Sequence, residues 1–218
     1  MAQVPFNPLD KRNLGESVAR ALLDQKVAPL SRSERFLGAG IYAIYYVGGL
    51  KLYEPISQEN RSEKFQRPIY VGKAVPPGAR KGGFGLGTSA GPALFRRLNE
   101  HKSSILAAEN LELDEFSCRH LVSDDIWIPL GESLLIERFK PLWNVLIDGF
   151  GNHPTGKRRA RQYRSRWDTL HPGRTWAARL PANPNESPSA LQKMVTDLLA
   201  GKAVPTISTE EAVTEEDE

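Results

Sequence analysis

The spacing of apolar residues along the chain changes between a helical period and short runs typical of strands. Apolar residues recur every three or four positions in four segments, which predicts helices over residues 13–25, 92–108, 130–140 and 187–199. Runs rich in β-branched and aromatic residues predict strands over residues 41–47, 68–72 and 116–122. The two kinds of element do not alternate regularly, so the pattern predicts a small α+β domain.

Two segments interrupt this pattern between the predicted strands and helices. Residues 50–67 are expected to form a short second strand followed by a polar loop. Residues 75–92 contain so many Gly and Pro residues that a long irregular loop is predicted. A loop of this length inside a compact domain is usually either functional or disordered. Its Arg80 and Lys81 make it a candidate for contacting an anionic ligand, and a flexible surface loop is the equally favoured alternative.

Charge is distributed unevenly over the 218 residues. The chain has 29 Lys and Arg against 26 Asp and Glu, a formal net charge of +3. Residues 201–218 contain six acids and one base, so residues 1–200 alone have a net charge of +8. Residues 151–180 contain eight bases and one acid. This segregation indicates that one region of the protein binds an anionic partner.

Composition excludes several classes of protein. Hydrophobic residues make up 40% of the chain and charged residues 25%, which is ordinary for a globular protein. No apolar run approaches the roughly 20 residues of a membrane helix, and residues 1–10 lack a secretory signal pattern. Cys118 is the single cysteine, which excludes an internal disulfide framework and a multi-cysteine zinc site. We therefore expect an intracellular protein without a membrane partner.

Four short motifs follow one another along the chain, and each is uninformative alone. A single strand tyrosine, helix arginine or helix histidine has an ordinary structural explanation, and a glutamate near a helix start is by default a dipole partner. The motifs are Gly40-Ile41-Tyr42, Ile69-Tyr70-Val71-Gly72, Arg97 with His101 four residues on, and Glu132 followed across Pro141 by Asn144 twelve residues on. In this order the motifs resemble the GIY-YIG nuclease superfamily over residues 38–146.

Two departures from the common pattern indicate a particular branch of that superfamily. The segment between the two tyrosine motifs is long, and Lys73 follows Gly72 where many members have a small residue. Together with residues 148–153 and 167–174, these features are similar to the type II restriction endonucleases of this fold. The resemblance implies a double-stranded DNA substrate, a GC-rich palindromic target such as CCGCGG, and products with 5′-phosphate and 3′-hydroxyl ends.

The resemblance also implies an architecture and a set of partners. We expect a small antiparallel three-stranded sheet flanked by helices, with an N-terminal helix, inserted loops and a basic C-terminal extension. The expected division is a helical appendage (1–37), a nuclease core (38–146), a basic extension packed on the core (147–204) and an acidic, disordered tail (205–218). Mg²⁺, a homodimer matching the two-fold symmetry of a palindrome, a DNA methyltransferase of the same system and a bacterial cytoplasmic location are implied as well.

Hydrolysis of a phosphodiester requires an activated water and stabilisation of charge on the phosphoryl oxygens. Tyr42 is the candidate general base, although a free tyrosine has a pKa of about 10 and needs nearby positive charge to ionise near neutral pH. His101 could accept the tyrosine proton, since we expect its own pKa to lie near the working pH. Arg97 would bind the phosphate, because residues four apart share a helix face and a guanidinium matches phosphate geometry.

The remaining motif residues suit metal binding and positioning. Glu132 is an oxygen ligand of the kind Mg²⁺ prefers, and Glu137 is a rival carboxylate that lacks the twelve-residue spacing to Asn144. Tyr70 and Lys73 are expected to orient the water or the phosphate, and Asn144 to hold the site together by hydrogen bonds. The catalytic set predicted in this way is Tyr42, Tyr70, Lys73, Arg97, His101, Glu132 and Asn144.

Cations interleaved with polar residues after position 150 are the candidate DNA-binding surface, because such density supports salt-dependent phosphate binding. Two or three of the arginines are expected to read guanine bases, and the others to contact only the phosphate backbone. The candidates are Asn152, His153, Lys157, Arg158, Arg159, Arg161, Arg164, Arg166 and Arg174.

Two alternatives to a restriction enzyme remain open. One is a homing or repair nuclease of the same fold, although such enzymes usually carry long linkers or zinc modules. The other is a basic DNA-binding protein that has lost catalysis. For the homodimer, the N-terminal helix, residues 50–67 and residues 187–199 are all candidate interface elements.

Overall fold

The centre of the protein is an antiparallel sheet of four strands in the order β1-β4-β2-β3. The computed structural model describes residues 7, 9–32, 34–61, 65–76, 90–154 and 162–207. Strand β2 is buried along its whole length, because its apolar and aromatic side chains are covered on both faces of the sheet. The strands are β1 (Ala28–Pro29), β2 (Gly40–Tyr46), β3 (Tyr70–Ala74) and β4 (Phe116–Val122).

The three predicted strands are present, and the sheet contains a fourth strand that was not predicted. The additional strand, β1, has only two residues and pairs Ala28 with Cys118 at the outer edge of β4. Two residues are too few to leave a recognisable pattern in the sequence, and Pro29 suits an edge position because it has no N–H to donate. The α+β class is unchanged by this correction.

In the described part of the chain seven helices flank the sheet, and four of them agree with the predicted segments to within about two residues. Helix α1 begins after the N-cap Asp10, helix α7 begins after the N-cap Ser187, and α4 ends at Lys140 in a left-handed conformation before Pro141. The helices are α1 (Lys11–Leu23), α2 (Glu54–Asn60), α3 (Ala93–Ala107), α4 (Ile128–Phe139), α5 (Leu142–Val145), α6 (Arg166–Leu170) and α7 (Pro188–Leu199).

The prediction of a strand within residues 50–67 is wrong, because this segment forms a short 3₁₀ turn and helix α2. Its polar side chains bond to the end of β2: the Asn60 amide donates to the carbonyls of Tyr46 and Arg67, and the Ser57 hydroxyl donates to the carbonyl of Gly48. Buried amide and hydroxyl groups that satisfy backbone carbonyls stabilise a helical turn that apolar periodicity does not reveal.

The segment after α5 packs on the sheet through a column of buried aromatic rings. Trp143 contacts Phe116 of β4 at 5.8 Å between ring centroids, and Trp167 of α6 contacts Trp143 at the same distance. Phe150 lies between them and α3. The segment around Phe150 and Trp167 is therefore attached to the sheet by apolar burial, which contributes on the order of 1.5–3 kcal/mol for each large side chain.

The helices among the described residues are all too short or too polar to cross a membrane.

Candidate active site

Tyr42 and His101 form a buried pair between β2 and α3. The Tyr42 hydroxyl oxygen lies 2.6 Å from Nε2 of His101, although the residues are 59 positions apart in the chain. Helix α3 turns Leu94, Leu98, His101 and Ile105 toward the sheet, so the imidazole takes a place in an otherwise apolar stripe. Tyr42 and His101 are 0% and 1% exposed. The structure thus brings together the two groups that the proton-transfer hypothesis requires.

The pKa of His101 lies well below its ordinary value of 6.5. Burial is the largest cause, followed by coulombic interactions with Arg97, His153 and Arg174. The expectation of a pKa near the working pH is therefore wrong. At neutral pH the imidazole is uncharged, so one ring nitrogen has a free lone pair. A neutral ring at 2.6 Å can accept a hydrogen bond from the Tyr42 hydroxyl.

Tyr70 completes this aromatic group from strand β3. Its ring centroid lies 5.1 Å from that of His101 and 6.2 Å from that of Tyr42. Phe150 stacks on the other side of the imidazole at 4.4 Å with an interplanar angle of 17°. The His101 ring is thereby enclosed by aromatic surface, which explains the large effect of burial on its pKa.

Arg97 lies one turn before His101 on α3, at the partly open side of the site. Its Nη1 donates to Nε2 of His153 at 2.7 Å and contacts Oε2 of Glu100 at 3.2 Å. The side chain is only 11% exposed. A Cβ atom placed on Gly151 would lie 2.7 Å from Nη2 of Arg97 and 2.9 Å from the hydroxyl of Tyr70, so the backbone at Gly151 approaches both side chains closely.

Lys73 and Glu132 form a buried ion pair between the edge strand β3 and helix α4. Nζ of Lys73 lies 3.0 Å from Oε2 of Glu132, and the two side chains are 6% and 0% exposed. The rival carboxylate, Glu137, lies on the exposed face of the same helix. The Lys73 ammonium offsets part of the desolvation cost of the buried Glu132 carboxylate. The structure therefore distinguishes the two carboxylates that the sequence left as rivals.

The residues present fit a Mg²⁺ ion that is held mainly by water and substrate. Glu132 is a buried carboxylate beside the edge of the sheet, and Mg²⁺ commonly takes one or two carboxylates and completes its shell with water and phosphate. Within the described parts of the chain, no three His, Cys, Asp or Glu side chains are grouped as a metal cage. A single protein ligand is compatible with this pattern of coordination.

Asn144 joins helix α5 to the outer edge of β3. Its Oδ1 accepts from the backbone N–H of Val71 at 2.9 Å, and its Nδ2 donates to the carbonyl of Val71 at 2.8 Å. These bonds replace the partner strand that an edge residue lacks. Because Val71 lies between Tyr70 and Gly72, the Asn144 amide holds β3 in place under the site, which is the kind of contact expected for this residue.

The candidate DNA-binding residues are distributed differently from the expectation. His153 is exposed and adjoins Arg97, and Asn152 lies beside it. Arg164 donates to the carbonyls of Ala177, Ala178 and Leu180, and Arg166 donates to Glu186 and to the carbonyl of Leu146. The predicted contacts at Lys157, Arg158, Arg159 and Arg161, and those of the loop with Arg80 and Lys81, lie outside the described residues.

Arg174 is 5% exposed, and its guanidinium is occupied by protein acceptors on all three nitrogens. This placement favours a structural role over the base contact suggested for it from the sequence. Phe150 and Gly151 lie in the segment 148–153 that carries the resemblance to the restriction branch, but the sequence indicated no role for them. The structure places both beside the site.

A second buried tyrosine–histidine pair, also missed from the sequence, attaches the extension to the core. The Tyr53 hydroxyl lies 2.6 Å from Nε2 of His171, and Nδ1 of His171 lies 2.9 Å from Oδ1 of Asn110. Burial lowers the pKa of His171 to about 3 and raises the pKa of Tyr53. Both groups are therefore neutral at neutral pH, and the pair is a structural hydrogen bond.

The buried histidines predict that acid destabilises the fold before most carboxylates titrate. His101 and His171 have pKa values below 6.5 in the folded state, so between pH 6.5 and those values only the unfolded state binds protons. The stability that the two neutral histidines contribute is fully present above pH 6.5, and it is lost as the pH is lowered below 6.5. For His171 we expect a loss of about 2 kcal/mol between pH 7 and pH 5. Urea unfolding at the two pH values measures it.

The matched control is His171→Gln, which removes one titrating group and leaves His101 in place. The free energy of unfolding of this variant should depend less steeply on pH than that of the wild type. Equal slopes for the two proteins would show that His171 is not buried as a neutral ring.

The fold, with Tyr42, Tyr70, His101 and Arg97 grouped between the sheet and α3, is that of the GIY-YIG class of nucleases. Residues 34–199, well over half of the chain, match the family model described as the Eco29kI GIY-YIG domain, so the protein belongs to this family of restriction endonucleases. The comparison with curated proteins found no match.

Proposed function

We propose that the protein is a type II restriction endonuclease that hydrolyses double-stranded DNA at a specific site with Mg²⁺. Membership of the GIY-YIG restriction family makes it a DNA endonuclease, and the proposal adds the site-specificity, the metal and the products. The observation that carries the chemistry is the buried contact of 2.6 Å between Tyr42 and a neutral His101, next to the phosphate-binding candidate Arg97.

In the proposed reaction Tyr42 is the general base. A water molecule attacks phosphorus and gives a proton to the Tyr42 oxygen, while the Tyr42 proton passes to Nε2 of His101. The short contact allows this transfer without movement of either side chain. The buried imidazolium is unfavourable by itself, and the negative phosphate at Arg97 offsets part of that cost.

Arg97 is proposed to bind the non-bridging oxygens of the scissile phosphate. In the free protein its guanidinium contacts Glu100 and His153, both of which are partly exposed and can yield to an anion. A phosphate has a charge and geometry that suit the planar fork better than one carboxylate oxygen at 3.2 Å. Tyr70, beside Arg97 over Gly151, is proposed to orient the phosphate or the water.

Glu132 is proposed to hold Mg²⁺, which would neutralise charge that develops on the leaving oxygen. Lys73 holds the carboxylate in position through the ion pair at 3.0 Å. Lys73 lies in the same edge strand as Tyr70, three residues further along, and is proposed to orient the phosphate or the water from the side of Glu132. Products with a 5′-phosphate and a 3′-hydroxyl follow if the 3′ oxygen leaves.

DNA is proposed to lie along the basic segment that follows the site. Lys157, Arg158, Arg159 and Arg161 follow His153 by four to eight residues in the sequence, and His153 itself touches Arg97. We propose a homodimer, a GC-rich palindrome such as CCGCGG as the target, a partner methyltransferase and action in the bacterial cytoplasm. The described contacts of Arg174 are all internal, so it is left out of the proposed DNA surface.

The test of this function is cleavage of two matched plasmids, one with and one without a single CCGCGG site, in Mg²⁺. We expect one double-strand break at the site and none in the control plasmid, and sequencing of the ends gives the cut position and the end groups. Binding to the same duplex should weaken with salt, with a slope of roughly −0.9 for each phosphate contacted.

Two other results of the cleavage assay would each favour one of the alternative functions. Cleavage of one strand or at scattered sites would favour a homing or repair nuclease. Binding without cleavage under any divalent cation would show a DNA-binding protein that has lost catalysis.

A further inference from the structure

Beyond the reacting groups, one buried arginine connects the C-terminal extension to the site. We infer that Arg174 is a positioning residue, which fixes residues 149–153 as a turn that presses Phe150 onto His101 and holds Gly151 against Arg97. The inference rests on the proposed function for its effect on cleavage. Its structural part, the enclosure of His101 by the turn, stands independently.

The guanidinium of Arg174 uses its full set of donors inside the protein. Nε and Nη2 donate to the two carboxylate oxygens of Asp168 at 2.6 and 2.7 Å. Nη2 also donates to the carbonyl of Gly149 at 2.7 Å, and Nη1 donates to the carbonyls of Phe150 and Asn152 at 3.2 Å each. A guanidinium has five N–H groups, and these five acceptors, with the Ser104 hydroxyl at 3.4 Å from Nη1 as a sixth, occupy all of them.

The position of Arg174 is itself fixed by the surrounding structure. Its guanidinium carbon lies 4.4 Å from the ring centroid of Trp167 and 4.8 Å from that of Trp176, so it is held between two indoles. The preceding Gly173 has a φ of +138°, and a Cβ there would lie 1.7 Å from the carbonyl oxygen of Ala107 at the end of α3. The arginine is therefore anchored to the same helix that carries His101 and Arg97.

The turn held by Arg174 touches the candidate catalytic groups directly. Phe150 stacks on the His101 imidazole at 4.4 Å. The backbone at Gly151 adjoins Nη2 of Arg97, and His153 accepts from Nη1 of Arg97 at 2.7 Å. A shift of the turn by about 1 Å would therefore displace both the proton acceptor and the phosphate ligand, and misplacement of this size can cost about 100-fold in rate.

Three carbonyls that point to one side of a turn need a donor with several N–H groups in a plane. Lysine offers a compact charge that cannot reach three carbonyls and a carboxylate together. Arg174→Lys therefore preserves the charge and removes the arrangement of donors. Because the charge is retained, any change at His101 reflects movement of the turn.

The experiment compares Arg174→Lys with Arg119→Lys. Arg119 lies on β4, and its guanidinium also bonds to backbone carbonyls, those of Gln25 and Phe65, without contacting the site. We expect Arg174→Lys to lower kcat by roughly 10- to 100-fold with DNA affinity within about 3-fold of wild type. Arg119→Lys should leave kcat unchanged at a similar cost in stability.

A second readout, the NMR titration of the His101 ring in the DNA-free protein, separates positioning from general weakening of the fold. The groups that face His101 are Tyr42, Tyr70, Arg97, His153 and Arg174. In the wild type the ring stays neutral well below pH 6.5, and in Arg174→Lys hydration should move its pKa up toward 6.5. The resonance is assigned by its loss in His101→Gln.

Two outcomes would overturn the inference. One is wild-type cleavage by Arg174→Lys, and the other is loss of cleavage through weaker DNA binding with an unchanged His101 titration, which would make Arg174 a DNA ligand. If Arg174→Lys does not fold, Phe150→Leu tests the same enclosure and should shift the His101 titration in the same direction. An inactive wild type would refute the proposed function, while the titration would still decide the inference.

Discussion

Replacement of Tyr42 by Phe is expected to reduce DNA cleavage by about 10³-fold and to change DNA affinity by less than about 3-fold. The substitution removes a single oxygen, which lies 2.6 Å from Nε2 of His101 and which is the proposed acceptor of the water proton. General-base catalysis contributes roughly 10²- to 10⁴-fold, and a buried ring that remains in place keeps the DNA surface intact. Single-turnover cleavage and equilibrium binding of the same duplex measure the two effects separately.

The matched control is Tyr45→Phe, in the same strand. Tyr45 is equally buried, and its hydroxyl accepts from Nη1 of Arg119, away from His101. Loss of that bond should cost about 1 kcal/mol of stability and leave the cleavage rate unaltered. Cleavage by Tyr42→Phe at the wild-type rate would remove Tyr42 from the role of base and leave His101 as the group to test next.

Replacement of Glu132 is expected to have an effect of similar size through the metal. Glu132→Gln keeps the shape of the side chain and removes the charge, so Mg²⁺-dependent cleavage should fall by about 10³-fold, because a bound metal contributes several kcal/mol to the transition state. Glu132→Gln and Glu132→Ala should both lower the free energy of unfolding, by up to about 3–5 kcal/mol, since each leaves the buried Lys73 ammonium without its carboxylate. Urea unfolding and a Mg²⁺ titration of the rate distinguish the two contributions.

Glu137→Gln is the control for this pair, because Glu137 lies on the exposed face of the same helix. It should cleave at the wild-type rate and require the same concentration of Mg²⁺. Normal cleavage by Glu132→Gln would show that the metal is held elsewhere. DNA affinity measured without divalent cation should be similar for all three proteins, since Glu132 is not placed in the DNA surface.

The elements of the fold could largely be read from local patterns. The run from Ile41 to Val47 is apolar and aromatic enough to be a buried strand in almost any context, and residues 92–108 have an unbroken helical stripe. Arg97 and His101 are four residues apart on one helix, so the sequence alone predicted that their side chains share a helix face. Helix α2 could not be read in this way, because buried polar contacts of Ser57 and Asn60 stabilise it.

What the sequence by itself determined is the set of elements, the order of the four motifs and, through them, the class of chemistry. Only the tertiary structure decided the environment of each group. The chain order does not show that His101 is enclosed by Phe150, that Glu132 is buried and Glu137 exposed, or that Arg174 bonds to a turn. The physical reason is that burial and pKa depend on atoms distant in the chain, whereas strand and helix periods depend on neighbours.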